Sequence, residues 1–289
     1  MLNHLGSPGR PVRVVFVNID GVIVPDCGNL VPDLTRRAIA GARARGIKVV
    51  LTSDRPVAGT LPVGEQLRLG RGDAFIASRG AVTAEFTGSG RRPFVMVDEP
   101  RVFDPKSAFV VAMAAYPEVR MAIEEPGKGW WVNHVFEPGL LTGRQMRVRN
   151  EKRLWDTPVT RAAVHAEGIV ALLPEIAAAG VTTRAVGADM VDIVGAAVST
   201  AGAAEALRMK WGIPHQDTAA IGSQVDDTPL LTQVRHAAVL DDAADEVKDL
   251  ADVIVPPLDL QGAATFLDSL TLSTRPLLTE SLPTRPRAR

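Results

Sequence analysis

The stretch VVFVNIDGVIVPD, Val14–Asp26, decides how the rest of the chain is read. From Val12 to Val17 every residue but Arg13 is β-branched or aromatic. A strand with one wet face alternates polar and apolar residues, so this run predicts a strand buried on both faces. The chain then turns polar at Asn18 and Asp20 and supplies Gly21 for a tight turn. Ligands of open α/β sheets bind beyond the carboxyl ends of the strands, and that is where this loop falls.

Working outward, Pro32 to Arg45 predicts a helix with Leu34, Ala38 and Ala42 on one face and Gly46 closing it. IKVVLT, Ile47–Thr52, is a second buried strand. The polar break SDRP follows, then a helix around Val63–Leu69 and a short strand, AFIAS. Strand and helix alternating at this spacing predict a parallel α/β sheet. From about Ala84 to Asp189 the texture changes. RPFVMVD, VRMAIEE and WWVNHVF show more alternating polarity, Pro105–Ala115 reads as a helix, and PVTRAAVHA and VTTRAVG flank an Ala-rich helix at 168–179. The parallel pattern resumes with a helix over Thr200–Trp211, the strand TAAIGS before the loop QVDDTP, and HAAVL, ADVIVPP and two further helices. The expectation is an α/β fold: a Rossmann-like core from residues 1–83 and 190–272, an inserted α+β cap at 84–189, and a flexible Pro- and Arg-containing tail at 273–289.

Bulk properties narrow the function classes. The formal net charge of −1 gives no electrostatic case for nucleic acid or a membrane surface. One cysteine, Cys27, excludes an intramolecular disulfide framework and a multi-cysteine zinc site. The first residues lack the apolar run of a secretion signal, and no stretch approaches the roughly 18 apolar residues that cross a bilayer. A cytoplasmic protein is the expectation.

Several segments then fall into one order. NIDGVIV, VVLTSDRP, FIASRGA, VSTAGAAEALRMKWGI, AAIGSQVDDTPLL and DDAADEVKDLADVIVPP follow one another with matching gaps. In this the chain resembles the haloacid dehalogenase superfamily, in particular the Cof-like phosphatases with a large α+β cap. The resemblance covers nearly the whole chain. It implies hydrolysis of small phosphorylated metabolites with magnesium, through an aspartate that attacks phosphorus and a second aspartate that acts as acid and base. It places Asn18 at the nucleophile, Asp20 at the acid/base and Ser53 at the hydroxyl that holds a phosphoryl oxygen. Thr200 stands at the lysine, and Ser223, Asp226 and Asp227 at the metal site.

Three of these positions depart from the family pattern. Covalent phosphoryl transfer needs an ionised carboxylate, and the Asn18 amide oxygen is a poor nucleophile. Loss of a covalent nucleophile costs on the order of 10⁶ in turnover, roughly 8 kcal/mol. Thr200 removes the charge of the motif lysine; Lys210, further along the same helix, or Arg55 are the candidate replacements. Ser223 weakens the implied Mg²⁺ site without abolishing it, since Asp227 and the Asp20 carbonyl remain and magnesium is often held by one or two carboxylates.

Other residues carry two readings each. Arg55 and Arg79, at strand ends on one crevice, suit bidentate binding of an anion or simple solvation; Arg79 also suits a fixed charge in place of the lysine. Asp226 and Asp227 precede TPLL, and capping is the expectation for Asp226 more than for Asp227. Alternation sends Trp130 and Trp131 to opposite faces, with core packing the expectation for both. His134 and Cys27 read as structural. Three functional classes stay open: a degenerate member that binds an anionic metabolite or a protein partner, a repurposed enzyme using Asp20 as acid/base, and a divergent magnesium-dependent phosphatase.

Overall fold

The computed structural model describes residues 11–25, 28–87, 95–98 and 100–271. The core begins with β1 (Val14–Asn18), α1 (Asp33–Ala44), β2 (Lys48–Thr52), α2 (Val57–Gln66), β3 (Ala74–Ala77), β4 (Val82–Phe86) and β5 (Val95–Val97). The inserted unit follows with α3 (Lys106–Ala115), β6 (Arg120–Glu125), β7 (Gly129–Val132), β8 (Arg144–Arg147), β9 (Ala162–His165), α4 (Leu173–Ala177), β10 (Val181–Val186) and β11 (Met190–Gly195). The chain then completes the core with α5 (Thr200–Lys210), β12 (Thr218–Gly222), α6 (Thr228–Gln233), β13 (His236–Leu240), α7 (Asp245–Lys248), β14 (Val253–Val255) and α8 (Gly262–Thr271).

The core sheet runs β14-β13-β12-β1-β2-β3-β4-β5, parallel except where β4 and β5 turn back. Helices cover both faces. Val15 and Val17 pack with Ala38, Ile39, Phe266 and Leu267 of α1 and α8. Val14 and Phe16 pack with Ala203, Leu207, Leu230 and Val247 of α5, α6 and α7. Two helical layers therefore explain the unbroken apolar run of β1. The second sheet, β10-β11-β9-β6-β7-β8, carries α3 and α4 on one face. Its other face bears Trp130, Val132, Ala163 and Met190 and looks toward the core. The architecture is the expected Rossmann-like core with a cap.

Sheet membership moves the expected boundaries. The strands at 82–97, expected partly in the cap, belong to the core sheet: β4 folds back on β3 through a tight turn at Ser78–Gly80, and β5 pairs with β4. Their alternating polarity is that of an antiparallel sheet edge rather than of a separate unit. At the other end β11 lies inside the cap sheet between β10 and β9, so the cap runs to Gly195 rather than to 189. Its wholly buried residues read like a parallel core strand because periodicity does not separate the two cases. The helix expected around 63–69 starts earlier, at Val57, directly after Pro56. Asp26, Cys27 and the tail lie outside the described residues. Among the described residues no helix is long and apolar enough to cross a membrane.

Candidate functional site

Parallel pairing fixes the site. β1 lies between β12 and β2 with Asn18 in register with Thr52, which brings Asn18, Ser53 and the end of β12 to one edge. After Ile19 the chain turns sharply. The Ile19 carbonyl accepts hydrogen bonds from the N–H groups of Ile23 and Val24, and Gly21 takes φ +71°, a conformation that favours glycine.

Asn18 is buried and donates from Nδ2 to both carboxylate oxygens of Asp227, at 2.7 and 2.9 Å. Oδ2 of Asp227 also accepts from the N–H groups of Ser223, at 2.9 Å, and Gln224, at 3.0 Å. This is one half of a capping box, so capping falls to Asp227 and not to Asp226 as expected. Burial pushes the Asp227 carboxyl above its usual range, against the opposing pull of the Gln224 and Ser223 N–H groups and Asn18.

Asp20 is equally occupied. Arg55 grips it through Nε, at 2.9 and 3.0 Å, and Nη2, at 2.5 Å, and also reaches Asn29 Oδ1 and the Gly28 carbonyl. The Ser53 hydroxyl donates to Asp20 Oδ2 at 3.2 Å and accepts from the Arg55 N–H at 3.0 Å. The hydroxyl and guanidinium read as phosphate ligands are thus turned onto the carboxylate.

Thr200 opens α5 behind Ser199, whose Oγ caps Gly202 N–H at 3.0 Å. Gly80 makes that approach possible: a Cβ there would lie 2.3 Å from the Ser199 carbonyl oxygen. Thr200, Asn18, Asp20, Thr52, Ser53, Asp54, Asp226 and Asp227 wall a small cavity of about 30 Å³. Lys210 does not substitute for the missing lysine. It ends the same helix and pairs with Glu85 at 2.6 Å and Asp98 at 2.7 Å in the β4–β5 region. Arg79 also turns away from the cavity, toward Asp192 of the cap at 3.4 Å, and sits at φ +57°.

The cap supplies residues that sequence reading missed. Arg184 of β10 pairs with both Asp54 and Asp226, joining cap to core across the cleft. Arg161, directly before β9, pairs with Asp192 of β11 at 2.6 Å, donates to the Asp54 carbonyl and lies over the Trp130 ring. Glu124 of β6 is buried against the Ser78 hydroxyl, at 2.8 Å, and Thr160, at 3.3 Å. Burial raises Glu124 and Asp54 despite nearby arginines. For Asp192 burial is outweighed by Arg161, Arg79 and Arg184, and the net shift is downward. The signal for these residues was present: charged residues interrupt the apolar strands RMAIEE, TRAAVH and MVDIVG, and fully buried charges are almost always paired.

Between cap and core lies a cleft of about 570 Å³ with Trp130, Leu140, Leu141, Val186 and Met190 on the cap side and Asp20, Asp54, Arg55 and Gln224 on the core side. Trp130 is buried and anchored by Nε1 to the Thr142 carbonyl at 3.0 Å. Trp131 faces the helical side of the cap under Arg153, and His134 is exposed away from the cleft.

Comparison with known proteins agrees with this architecture. The family profile for haloacid dehalogenase-like hydrolases matches residues 15–267. A haloacid dehalogenase-like hydrolase from Bacteroides thetaiotaomicron superposes with a TM-score of 0.77 at 15% identity, covering 89% of this chain and 98% of that one. A Geobacillus kaustophilus structure gives 0.74 at 19% identity, over 90% of this chain and 99% of that one. In sequence, a protein of Streptococcus pyogenes serotype M6 named "Putative phosphatase" is 32% identical over 75 residues, 26% of this chain and 28% of that relative. The chain belongs to the haloacid dehalogenase-like hydrolase family.

Proposed function

We propose that this family member binds a ligand between core and cap without turning over phosphate esters through an aspartyl-phosphate. The observation that carries the reading is the Asn18–Asp227 contact. Where the family resemblance implies a nucleophilic carboxylate, an amide N–H bonds both oxygens of Asp227. A neutral amide offers no nucleophile of useful strength.

The donor set does not fit magnesium either. Both Asp227 oxygens already accept N–H donors, Asp226 is taken by Arg184, and position 223 is a serine. Octahedral magnesium needs oxygen ligands, and the group that points into this place is an N–H. Use of Asp20 as a free acid/base is disfavoured by the same kind of argument, because Arg55 and Ser53 engage both of its oxygens.

The test is phosphate release from a panel of sugar, nucleotide and small metabolite phosphates with magnesium. The expected result is no turnover by the unaltered protein and no change in Asp20→Ala. Magnesium-dependent release by the unaltered protein, abolished in Asp20→Ala, overturns the proposal.

A further inference from the structure

We propose that the cleft takes a primary amine, with its ammonium group in the small cavity at the ends of β1 and β2 and its apolar part against the cap wall. This deepens the reading above and rests on it. Three observations carry it.

The first is the charge balance. Lining the cavity and the adjoining cleft, or ion-paired to their walls, stand four arginines, Arg55, Arg79, Arg161 and Arg184, and five carboxylates, Asp20, Asp54, Asp192, Asp226 and Asp227. Each of these arginines is already ion-paired to at least one of these carboxylates. A dianionic phosphate entering this place meets an excess of carboxylate and no unpaired arginine of the four. A monovalent cation meets a wall of net negative charge. An ion taken out of water is held only where opposite charge and hydrogen bonds replace its hydration.

The second is an orphaned acceptor. Thr52 is 2% exposed, lines the cavity, and its Oγ1 has no hydrogen-bond partner among the described residues. Buried polar atoms are nearly always paired, by protein, water or ligand. With a volume of about 30 Å³ the cavity has room for one or two water-sized groups, and an ammonium is of that size. It has three N–H donors for the acceptors Thr52, Asp54 and Thr200.

The third is the opening. The cavity shares Asp20, Asp54 and Gln224 with the large cleft, whose opposite wall is Trp130, Leu140, Leu141, Val186 and Met190. A short aryl or alkyl chain on the nitrogen finds apolar surface there.

The experiment compares one skeleton with three heads. Phenethylamine, phenethyl alcohol and phenethyl phosphate are titrated calorimetrically into the full chain at pH 7, alongside magnesium chloride. Phosphate release is measured in a parallel sample of phenethyl phosphate with magnesium. The expected result is that the amine binds at least about tenfold tighter than the alcohol, through charge-assisted hydrogen bonds. The phosphate ester gives no saturable heat. Thr52→Val, close to isosteric, weakens the amine about three- to tenfold and the alcohol by less, since only the amine makes a charge-assisted bond there. Equal binding of amine and alcohol, no binding of the amine, tighter binding of the phosphate, or displacement of the amine by magnesium each overturn this inference while the absence of turnover leaves the proposed function standing. Release of phosphate from phenethyl phosphate overturns both.

Discussion

Asn18→Asp is the perturbation that tests the site most directly. It replaces an N–H donor with a carboxylate facing the carboxylate of Asp227 at the separations now spanned by hydrogen bonds, 2.7 and 2.9 Å. Two such charges about 3 Å apart repel by about 5 kcal/mol at an effective dielectric of about 20. Loss of a hydrogen bond to a charged group adds about 1.5–3 kcal/mol. Partial exposure of Asp227 lets water screen part of this, and a shared proton relieves more, so the expected loss of stability is about 2–4 kcal/mol at pH 7. The sign with pH follows from linkage. Burial already raises Asp227, and a second carboxylate raises the pair further, so the folded variant binds more protons than the unfolded chain. Its stability is therefore greatest below the ordinary carboxylate range and falls as pH rises through the raised value, more steeply than in the unaltered protein. Urea unfolding in EDTA at several pH values between 4 and 8 measures this. Millimolar magnesium then recovers part of the loss in the variant and little in the unaltered protein. An Asn18→Asp variant with the unaltered midpoint at pH 7 in EDTA would refute the direct Asn18–Asp227 bond and the argument built on it.

Arg161→Met leaves buried Asp192 without its closest cation and should cost about 3–5 kcal/mol by urea unfolding, with much of that recovered in Arg161→Met/Asp192→Leu. Arg184→Met removes the side chain that joins β10 to Asp54 and Asp226; the expected outcome is a larger radius of gyration by small-angle scattering and faster proteolysis between cap and core. Gly80→Ala sets a Cβ 2.3 Å from the Ser199 carbonyl oxygen at φ +97°, which should destabilise the chain by at least about 2 kcal/mol, while Gly139→Ala, also at positive φ but with no atom within 4 Å of its Cβ, should cost less.

The fold was legible because its strongest signals are local. The buried run of β1, its repetition in β2 and β12, and the polar loops after each strand state a parallel core without help from tertiary context. The ends of the cap were not legible. β11 is as apolar as a core strand, and β4 alternates like a cap strand, because strand periodicity reports which faces are covered and not which sheet covers them. Within the site, Asn18, Asp20, Ser53 and Asp227 lie just at or after strand ends and share one cavity with Thr200 at the start of α5. What they bond to was hidden. No spacing rule says that Arg55 turns onto Asp20, that Lys210 turns away to Glu85, or that Arg184 crosses from the cap to Asp54. Those pairings join residues up to 130 positions apart and are set by how two sheets face each other.

The three departures from the family pattern make chemical sense as a set. By the resemblance, carboxylates at 18 and 223 stand beside Asp227, and a divalent cation with a lysine at 200 holds those like charges at one sheet edge. With Asn18 the joining of β1 to Asp227 passes to an amide, and no cation is needed between them. With Ser223 the second carboxylate is gone, and the backbone N–H at that position donates to Asp227. On the proposed function, with no cation or phosphate at the site, a lysine at 200 has nothing to neutralise that Arg55 and Arg184 do not already pair, and a neutral threonine avoids an unpaired charge. On that reading each change takes away the reason for the other two. Reverting position 18 alone confronts two carboxylates with neither of their partners. Asn18→Asp/Thr200→Lys/Ser223→Asp in magnesium should therefore be more stable than the sum of the three single changes, and that non-additivity is the measurable mark of a site remade as a unit.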